Sequence, residues 1–177
     1  MEENDKLQIR RLKEDQTIKP FDCGDNDLNE FFLKDAILYQ KQKLTVTYFG
    51  ENETETIFFF SLRNDRVSVT DTTKWNKLGR NLPNDKRTRK GAYPAVKIGR
   101  LGISKRFQGK GLGYDVMNAI KGFIGLDNFP TGAKFLTVDA YRGSIKYYEK
   151  NGFEFLTDED LEDDTRAMYY DLIRLGV

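Results

Sequence analysis

Residues 99–113 read GRLGISKRFQGKGLG, and the way this stretch joins a strand to a helix decides how the remaining chain is read. Before it, Val96 and Ile98 are apolar at even positions; within it, Leu101 and Ile103 are apolar at odd ones. Side chains of a strand alternate strictly, so the change of parity predicts one extra residue, a β-bulge near Gly99 or Arg100. A bulge releases peptide groups from the ladder and splays the strand from its neighbour, opening a cleft. A strand that simply ends at Gly99 would leave the same pattern. Gly109, Gly111 and Gly113 then stand at alternate positions directly before a helix. They let the main chain curl until successive N–H groups converge, and the helix dipole adds positive potential there. Such a nest suits a diphosphate. A P-loop requires GxxxxGK followed by Ser or Thr, which is absent, and GxGxxG counted from Gly111 meets Val116 where its third glycine belongs.

Outward from this stretch, residues 95–103 read as a strand. A helix follows, with Leu112, Val116, Ile120 and Phe123 or Ile124 on its buried side. Residues 134–140 form another strand, residues 144–150 a short helix, and Asn151-Gly152 its left-handed stop. Phe153 and Phe155 open a further strand, an acidic turn comes next, and residues 165–173 alternate as the last strand. On the N-terminal side, residues 7–12 read as a first strand. Asp27 and Glu30 look like a capping box opening a helix that runs to about Lys41, with Leu28, Phe31, Phe32, Ala36 and Tyr39 on its core face. Leu44, Val46 and Tyr48 alternate as a half-buried strand, and the apolar run at residues 57–62 reads as a central strand, with Val67 and Val69 continuing the meander. Trp75 and Leu78 suit one helical turn, and residues 81–91 a basic loop. The fold class is α+β (mixed α/β).

The chain has 177 residues, 29 Lys plus Arg, 28 Asp plus Glu, no His and one Cys. One domain of this size closes a core without staples. Absence of histidine excludes a Ser-His-Asp triad, a Cys-His pair and any His-ligated zinc, and Cys23 alone forms neither disulfide nor metal cage, so no metal is expected. The polar start MEENDKLQ is no signal peptide, and no apolar run approaches membrane-spanning length, which points to a cytoplasmic protein. Near-neutral net charge hides asymmetry. Residues 86–110 hold Lys86, Arg87, Arg89, Lys90, Lys97, Arg100, Lys105, Arg106 and Lys110 without one Asp or Glu, while residues 158–164 are acidic except for Leu161. Either run can be a solvated loop; the basic one can also be an anion site.

Gln108, Gly111 and Gly113 match the pattern (Q/R)xxGx(G/A), and the segment resembles the acyl-CoA signature of the GNAT superfamily of N-acetyltransferases. Arg100-Leu101-Gly102-Ile103 resembles that family's bulged fourth strand. Ser144 to Phe153, SIKYYEKNGF, resembles its second signature, a short helix ending in xYxxxGF. The two motifs stand in the family's order with a strand between them. Phe21-Asp22-Cys23-Gly24, the first helix and Met168-Tyr169-Tyr170 extend the likeness over most of the chain, toward a subgroup that includes toxins of toxin–antitoxin pairs acetylating aminoacyl-tRNA. The resemblance implies a single N-acetyltransferase domain over residues 1–177, with a central, mostly antiparallel sheet splayed at the bulged strand and helices on both faces.

It also implies roles. Main-chain groups of Leu101, Gly102 and Ile103 bind the pantetheine arm as if it were a strand, one N–H polarising the thioester carbonyl. Gln108, Gly109, Lys110, Gly111, Leu112 and Gly113 bind the pyrophosphate, with Lys105 or Arg106 nearby. Tyr148 stands where the family places the acid that protonates the departing thiolate. A thiol near pKa 8.5 and a phenol near 10 make that a modest transfer. Tyr141 occupies a position where many members carry Asn. No base is singled out; Glu30, Asp139 and Glu149 are candidates, each readily explained as a surface or capping charge.

The implied reaction moves acetyl from acetyl-CoA, the cosubstrate, to a primary amine of a protein, small molecule or aminoacyl-tRNA, by direct attack in a ternary complex. Holding a lysine neutral at pH 7 costs about 4.6 kcal/mol, an α-amino group only about 1 kcal/mol, which leans toward the α-amine. Alternatives are a tRNA-acetylating toxin, with tRNA and an antitoxin protein as partners, and a non-catalytic acyl-CoA-binding module. No membrane partner is expected, and a homodimer is compatible with the sequence.

Overall fold

The computed structural model describes residues 8–68, 77–78, 92–125 and 129–176. The elements are β1 (Arg10–Arg11), α1 (Asn26–Glu30), a π-helical turn (Phe31–Asp35), α2 (Ala36–Lys41), β2 (Val46–Glu51), β3 (Thr56–Val67) and β4 (Tyr93–Ile103). After a 3-10 turn (Lys105–Phe107) come α3 (Leu112–Gly125), β5 (Phe135–Tyr141), a second 3-10 turn (Arg142–Ser144), α4 (Ile145–Lys150), β6 (Glu154–Phe155) and β7 (Thr165–Asp171). Among the described residues these strands form one mixed, mostly antiparallel sheet in the order β1-β2-β3-β4-β5-β7-β6. By internal contacts the chain divides into two compact units: residues 1–63 with 98–120, and residues 64–97 with 121–177.

In the first unit Leu12, Phe21, Phe31, Phe32, Ala36, Phe49 and Phe59 form the core. The Phe59 ring stacks on Phe32 at 4.6 Å and meets the edge of Phe21 at 5.3 Å. Several expectations are corrected here. The helix is capped by Asp25, whose carboxylate accepts from the Leu28 N–H at 3.1 Å, and not by Asp27. The turn made by Asp22, Cys23 and Gly24 brings the helix start forward, since Asn29 accepts the Cys23 N–H at 2.9 Å. The expected unbroken helix widens at the π-helical turn, where Ala36 N–H donates to Phe31 O. The extra residue lets both Phe31 and Phe32 reach Phe59. In β2 the fully buried positions are Thr47 and Phe49, preceded by buried Thr45, while Leu44 is 56% exposed. Phe49 pairs with Phe59 in the β2–β3 register, and the strand's parity follows that aromatic. β3 runs unbroken to Val67, so the expected continuation of the meander is the same strand; Val69, Trp75 and residues 81–91 lie outside the described residues.

The position of the bulge follows from two glycines. A Cβ on Gly99 would lie 3.3 Å from Ser61 Oγ, and one on Gly102 would lie 2.8 Å from Phe59 Cε1. Ser61 and Phe59 are two residues apart on one face of β3, whereas Gly99 and Gly102 are three apart on β4. β4 therefore carries one extra residue over this length, at Arg100–Leu101. The Ser104 N–H, donating to Ile57 O at 2.8 Å, continues the shifted register.

In the second unit β5 pairs antiparallel with β7 from Phe135↔Asp171 to Tyr141↔Thr165, and β6 pairs with β7. Val67, Leu78, Tyr93, Ala95, Phe135 and Tyr169 form one core. Tyr170, next along β7, points to the other face, where it meets Phe153 at 5.7 Å and Phe153 meets Tyr148 of α4 at 5.4 Å. Gly152 takes φ +80°, the left-handed stop expected after α4.

Gly102 leaves no room for a side chain against Phe59. Gly102→Ala pushes a methyl into the Phe59 and Phe21 rings and is expected to cost about 1–3 kcal/mol, read as a lower urea midpoint at unchanged m-value. Gly99→Ala, facing only the Ser61 hydroxyl, is expected to cost less.

Candidate active site

The first unit holds the bulged strand and the glycine loop as one continuous piece, residues 99–113. Gln108 closes it: its side-chain amide donates to Ile103 O at 2.7 Å and to Cys23 O at 2.8 Å, tying the loop to the strand end and to the turn before α1. Lys105 N–H donates to Asp22 O at 2.9 Å. Beyond this clamp Gly109 and Gly111 take φ +73° and +84°, and a Cβ on either would meet nothing within 4 Å. The left-handed backbone explains glycine at both positions, and the space above them is open. α3 begins at Leu112, with Tyr114 N–H donating to Gly111 O at 2.9 Å. The opening turn of a helix leaves N–H groups without intrahelical acceptors, and here it adjoins that open space.

The neighbouring cations are not equivalent. Lys105 pairs with Asp22 at 3.1 Å, and Arg106 pairs with Glu55, which also accepts from Ser104 Oγ at 3.3 Å. Gly24 N–H, Asn29 and Lys105 together hold the Asp22 carboxyl below its ordinary pKa. Both cations expected beside a pyrophosphate are thus turned back onto the protein. Lys110 has no carboxylate partner among the described residues; its ammonium lies 5.9 Å from the Phe107 ring centroid. Leu101 and Ile103 are half-buried, and Gly102 is buried.

The second unit carries Tyr148. It is 6% exposed, its ring edge-on to Tyr147 at 5.1 Å, and no described residue hydrogen-bonds its hydroxyl. Burial, reinforced by Tyr147, pushes the phenol's pKa far above its ordinary value, so it holds its proton throughout the physiological range. Tyr141 ends β5 and is 59% exposed. Of the carboxylates weighed as bases, Glu30 pairs with Lys34 at 2.9 Å, Asp139 binds Lys97 through both oxygens at 3.0 and 2.9 Å, and Glu149 is exposed. Lys86, Arg87, Arg89 and Lys90 lie outside the described residues. The acidic run is more than a solvated turn. Asp160 accepts from Arg166 Nε at 2.7 Å and from Ala167 N–H at 2.6 Å, and Arg142 Nε binds Asp163 O at 2.9 Å.

Sequence reasoning missed the double clamp by Gln108 and the placement of Arg100, whose guanidinium carbon stands 4.0 Å above the Phe31 ring. A cation between two glycines on a bulged strand is the only sequence sign of the latter.

Residues 86–173 match the family model described as an acetyltransferase (GNAT) domain. The chain carries a GNAT acetyltransferase domain. The family is one of enzymes, acyltransferases by class. No curated protein matches the sequence. Among solved structures, one described as a bacterial toxin is 14% identical with TM-score 0.75, covering 96% of this chain and 92% of that chain. The AtaT toxin in complex with acetyl-methionyl-tRNAfMet is 20% identical with TM-score 0.68, covering 96% of each chain. A tyrosine-to-phenylalanine mutant of AtaT, bound to the C-terminus of the antitoxin AtaR and acetyl-CoA, is 21% identical with TM-score 0.67, covering 97% of each chain. These neighbours share the GNAT fold. Among the described residues no helix is long and apolar enough to cross a membrane.

The acidic turn of this GNAT domain is anchored at Asp160. Burial opposes its ionisation, but Ala167 N–H and Arg166 outweigh that and hold its carboxyl below the usual aspartate range. A depressed folded-state pKa stabilises the protein above the unfolded value, and that gain fades as pH falls through the folded one. Asp160→Asn is expected to cost about 2 kcal/mol at pH 7. Denaturant titrations of the two proteins should converge as pH drops below the unfolded-state aspartate value of about 3.9.

Proposed function

We propose that this chain transfers acetyl from acetyl-CoA to the α-amine of an aminoacyl ester or peptide by direct attack. The observation that carries the reading is the open, left-handed Gly109–Gly111 turn leading into α3, one 3-10 turn beyond a bulged strand. Its geometry fits a pyrophosphate, because nothing occupies the space a side chain would fill there.

In this reading Leu101, Gly102 and Ile103 hold the pantetheine arm through their peptide groups, and one of their N–H groups faces the thioester oxygen as it gains charge. Gly109, Gly111, Leu112 and Gly113 take the pyrophosphate with main-chain N–H groups, Lys110 adds its positive charge, and Gln108 keeps the loop closed. The amine nitrogen bonds to the thioester carbon, the C–S bond breaks, and Tyr148 gives its proton to the sulfur. Solvent reprotonates Tyr148 and receives the surplus amine proton. The burial that makes Tyr148 a weaker acid also raises the pKa of any thiolate leaving beside it, so the transfer stays close to balanced. Acetyl-CoA as donor and the cytoplasm as location belong to the same reading.

A second reading is that the chain is a tRNA-acetylating toxin held in check by an antitoxin. It is favoured by the AtaT structures with acetyl-methionyl-tRNAfMet and with the AtaR C-terminus. It predicts growth arrest on expression, relieved by a partner protein.

Acceptor-dependent thiol release from acetyl-CoA, with methionyl-tRNA and methionine methyl ester as amines, tests the activity. Tyr148→Phe is expected to lower kcat about 100-fold while leaving acetyl-CoA affinity unchanged. The wild-type rate should show no alkaline loss attributable to Tyr148 up to about pH 10, since the protonated phenol is the working form and its pKa is raised. Tight acetyl-CoA binding with no acceptor-dependent thiol would make the chain a binding module.

A further inference from the structure

β4 and the loop after it carry Lys97, Arg100, Lys105, Arg106 and Lys110. Lys97 is matched by Asp139 and Asp65, Lys105 by Asp22 and Arg106 by Glu55. Arg100 has no carboxylate partner among the described residues. It lies instead on an aromatic platform, its guanidinium carbon 4.0 Å from the Phe31 centroid and 5.7 Å from that of Tyr39. Those two rings meet edge-on at 5.3 Å, and Phe31 is fixed in turn against Phe59 at 6.2 Å. A guanidinium carries five N–H donors, and a contact with a ring face consumes none of them as a charged hydrogen bond, so donors remain for another partner.

The bulge is what brings it there. Gly99 and Gly102 face the same side of β3, and the extra residue between them turns Arg100 toward that side as well, over Phe31 of the π-helical turn. With glycine both before and after it in that row, no side chain of β4 crowds the guanidinium, and Gly99 is itself exposed. The platform fixes a planar, forked donor whose geometry matches an oxyanion. An α-amine that reacts readily at neutral pH has its carboxyl group already esterified or in a peptide bond. The oxyanion that an aminoacyl ester of a nucleic acid has to offer is phosphate.

We propose that Arg100 is an acceptor-binding residue that takes a phosphate of an aminoacylated nucleic acid, resting on the acetyltransferase reading above. Lys110 serves the donor and Arg100 the acceptor. Binding of labelled, deacylated tRNA across a salt series tests this, with acetyl-CoA affinity measured in parallel. Arg100→Gln is expected to weaken tRNA binding about tenfold and to reduce the slope of log Kd against log salt by about 0.7–0.9, the loss of one phosphate contact, with acetyl-CoA affinity unchanged. Arg100→Lys keeps the charge but loses the fork, and is expected to keep the slope while weakening binding about threefold. Wild-type affinity and slope in Arg100→Gln would overturn the proposal, as would a wild-type protein that binds acetyl-CoA but no tRNA at low salt. The latter result leaves the acetyltransferase reading standing, whereas failure to bind acetyl-CoA removes that reading by itself. Should Arg100→Gln also lose acetyl-CoA, Arg100→Lys decides, and full tRNA affinity and slope with inorganic phosphate failing to compete would overturn the proposal.

Discussion

The approach of Gly102 to the edges of Phe59 and Phe21 sets the geometry on which the site depends. Only a residue without a side chain fits against those rings, and Phe59 is locked between Phe32, Phe31 and Phe21. With Gly102 fixed against Phe59 and Gly99 against Ser61, the strand must absorb one residue between them. The bulge is therefore a consequence of aromatic packing in the first unit, not of a local preference of Arg100 or Leu101. It re-aims Arg100 and leaves Leu101 and Ile103 half-buried on the opposite side.

From that point the chain divides its labour by chemistry. The main chain of residues 109–113 offers N–H groups and open space, a surface suited to a phosphate shared by every acyl-CoA. The side chains around it are occupied elsewhere: Gln108 holds the loop shut, and Lys105 and Arg106 brace the turn before α1 and the β2–β3 turn through Asp22 and Glu55. Lys110 and Arg100, which have no carboxylate partner among the described residues, are what a substrate can use. In the second unit the same division appears around α4, where burial keeps Tyr148 protonated while Lys121 donates to Asn151 O at 2.6 Å and secures the end of the helix.

How much could be read in advance differs from element to element. The change of apolar parity between Ile98 and Leu101 announced the bulge, because strand alternation allows few exceptions. The spacing of Gln108, Gly111 and Gly113 announced the loop, and Asn151-Gly152 the end of α4. The Gln108 clamp was hidden, since Cys23 is 85 residues away and only the folded chain brings it near. The π-helical turn was hidden too, because Leu28, Phe31, Phe32, Ala36 and Tyr39 suit an ordinary helix, and the demand for two rings against Phe59 comes from the tertiary packing. The cap, expected at Asp27 and found at Asp25, has a simpler reason: acidic residues this close are equivalent on sequence until the Asp22–Gly24 turn fixes where the helix begins.

The central claim is that peptide groups between residues 99 and 113 receive the acyl carrier. Amide hydrogen exchange, measured with and without acetyl-CoA, addresses those groups directly. The account predicts that added acetyl-CoA slows exchange in residues 101–103 and 109–113 and leaves the rates in β2 and in the β5–β7 pair unchanged. Unchanged exchange across residues 99–113 at saturating acetyl-CoA would contradict it.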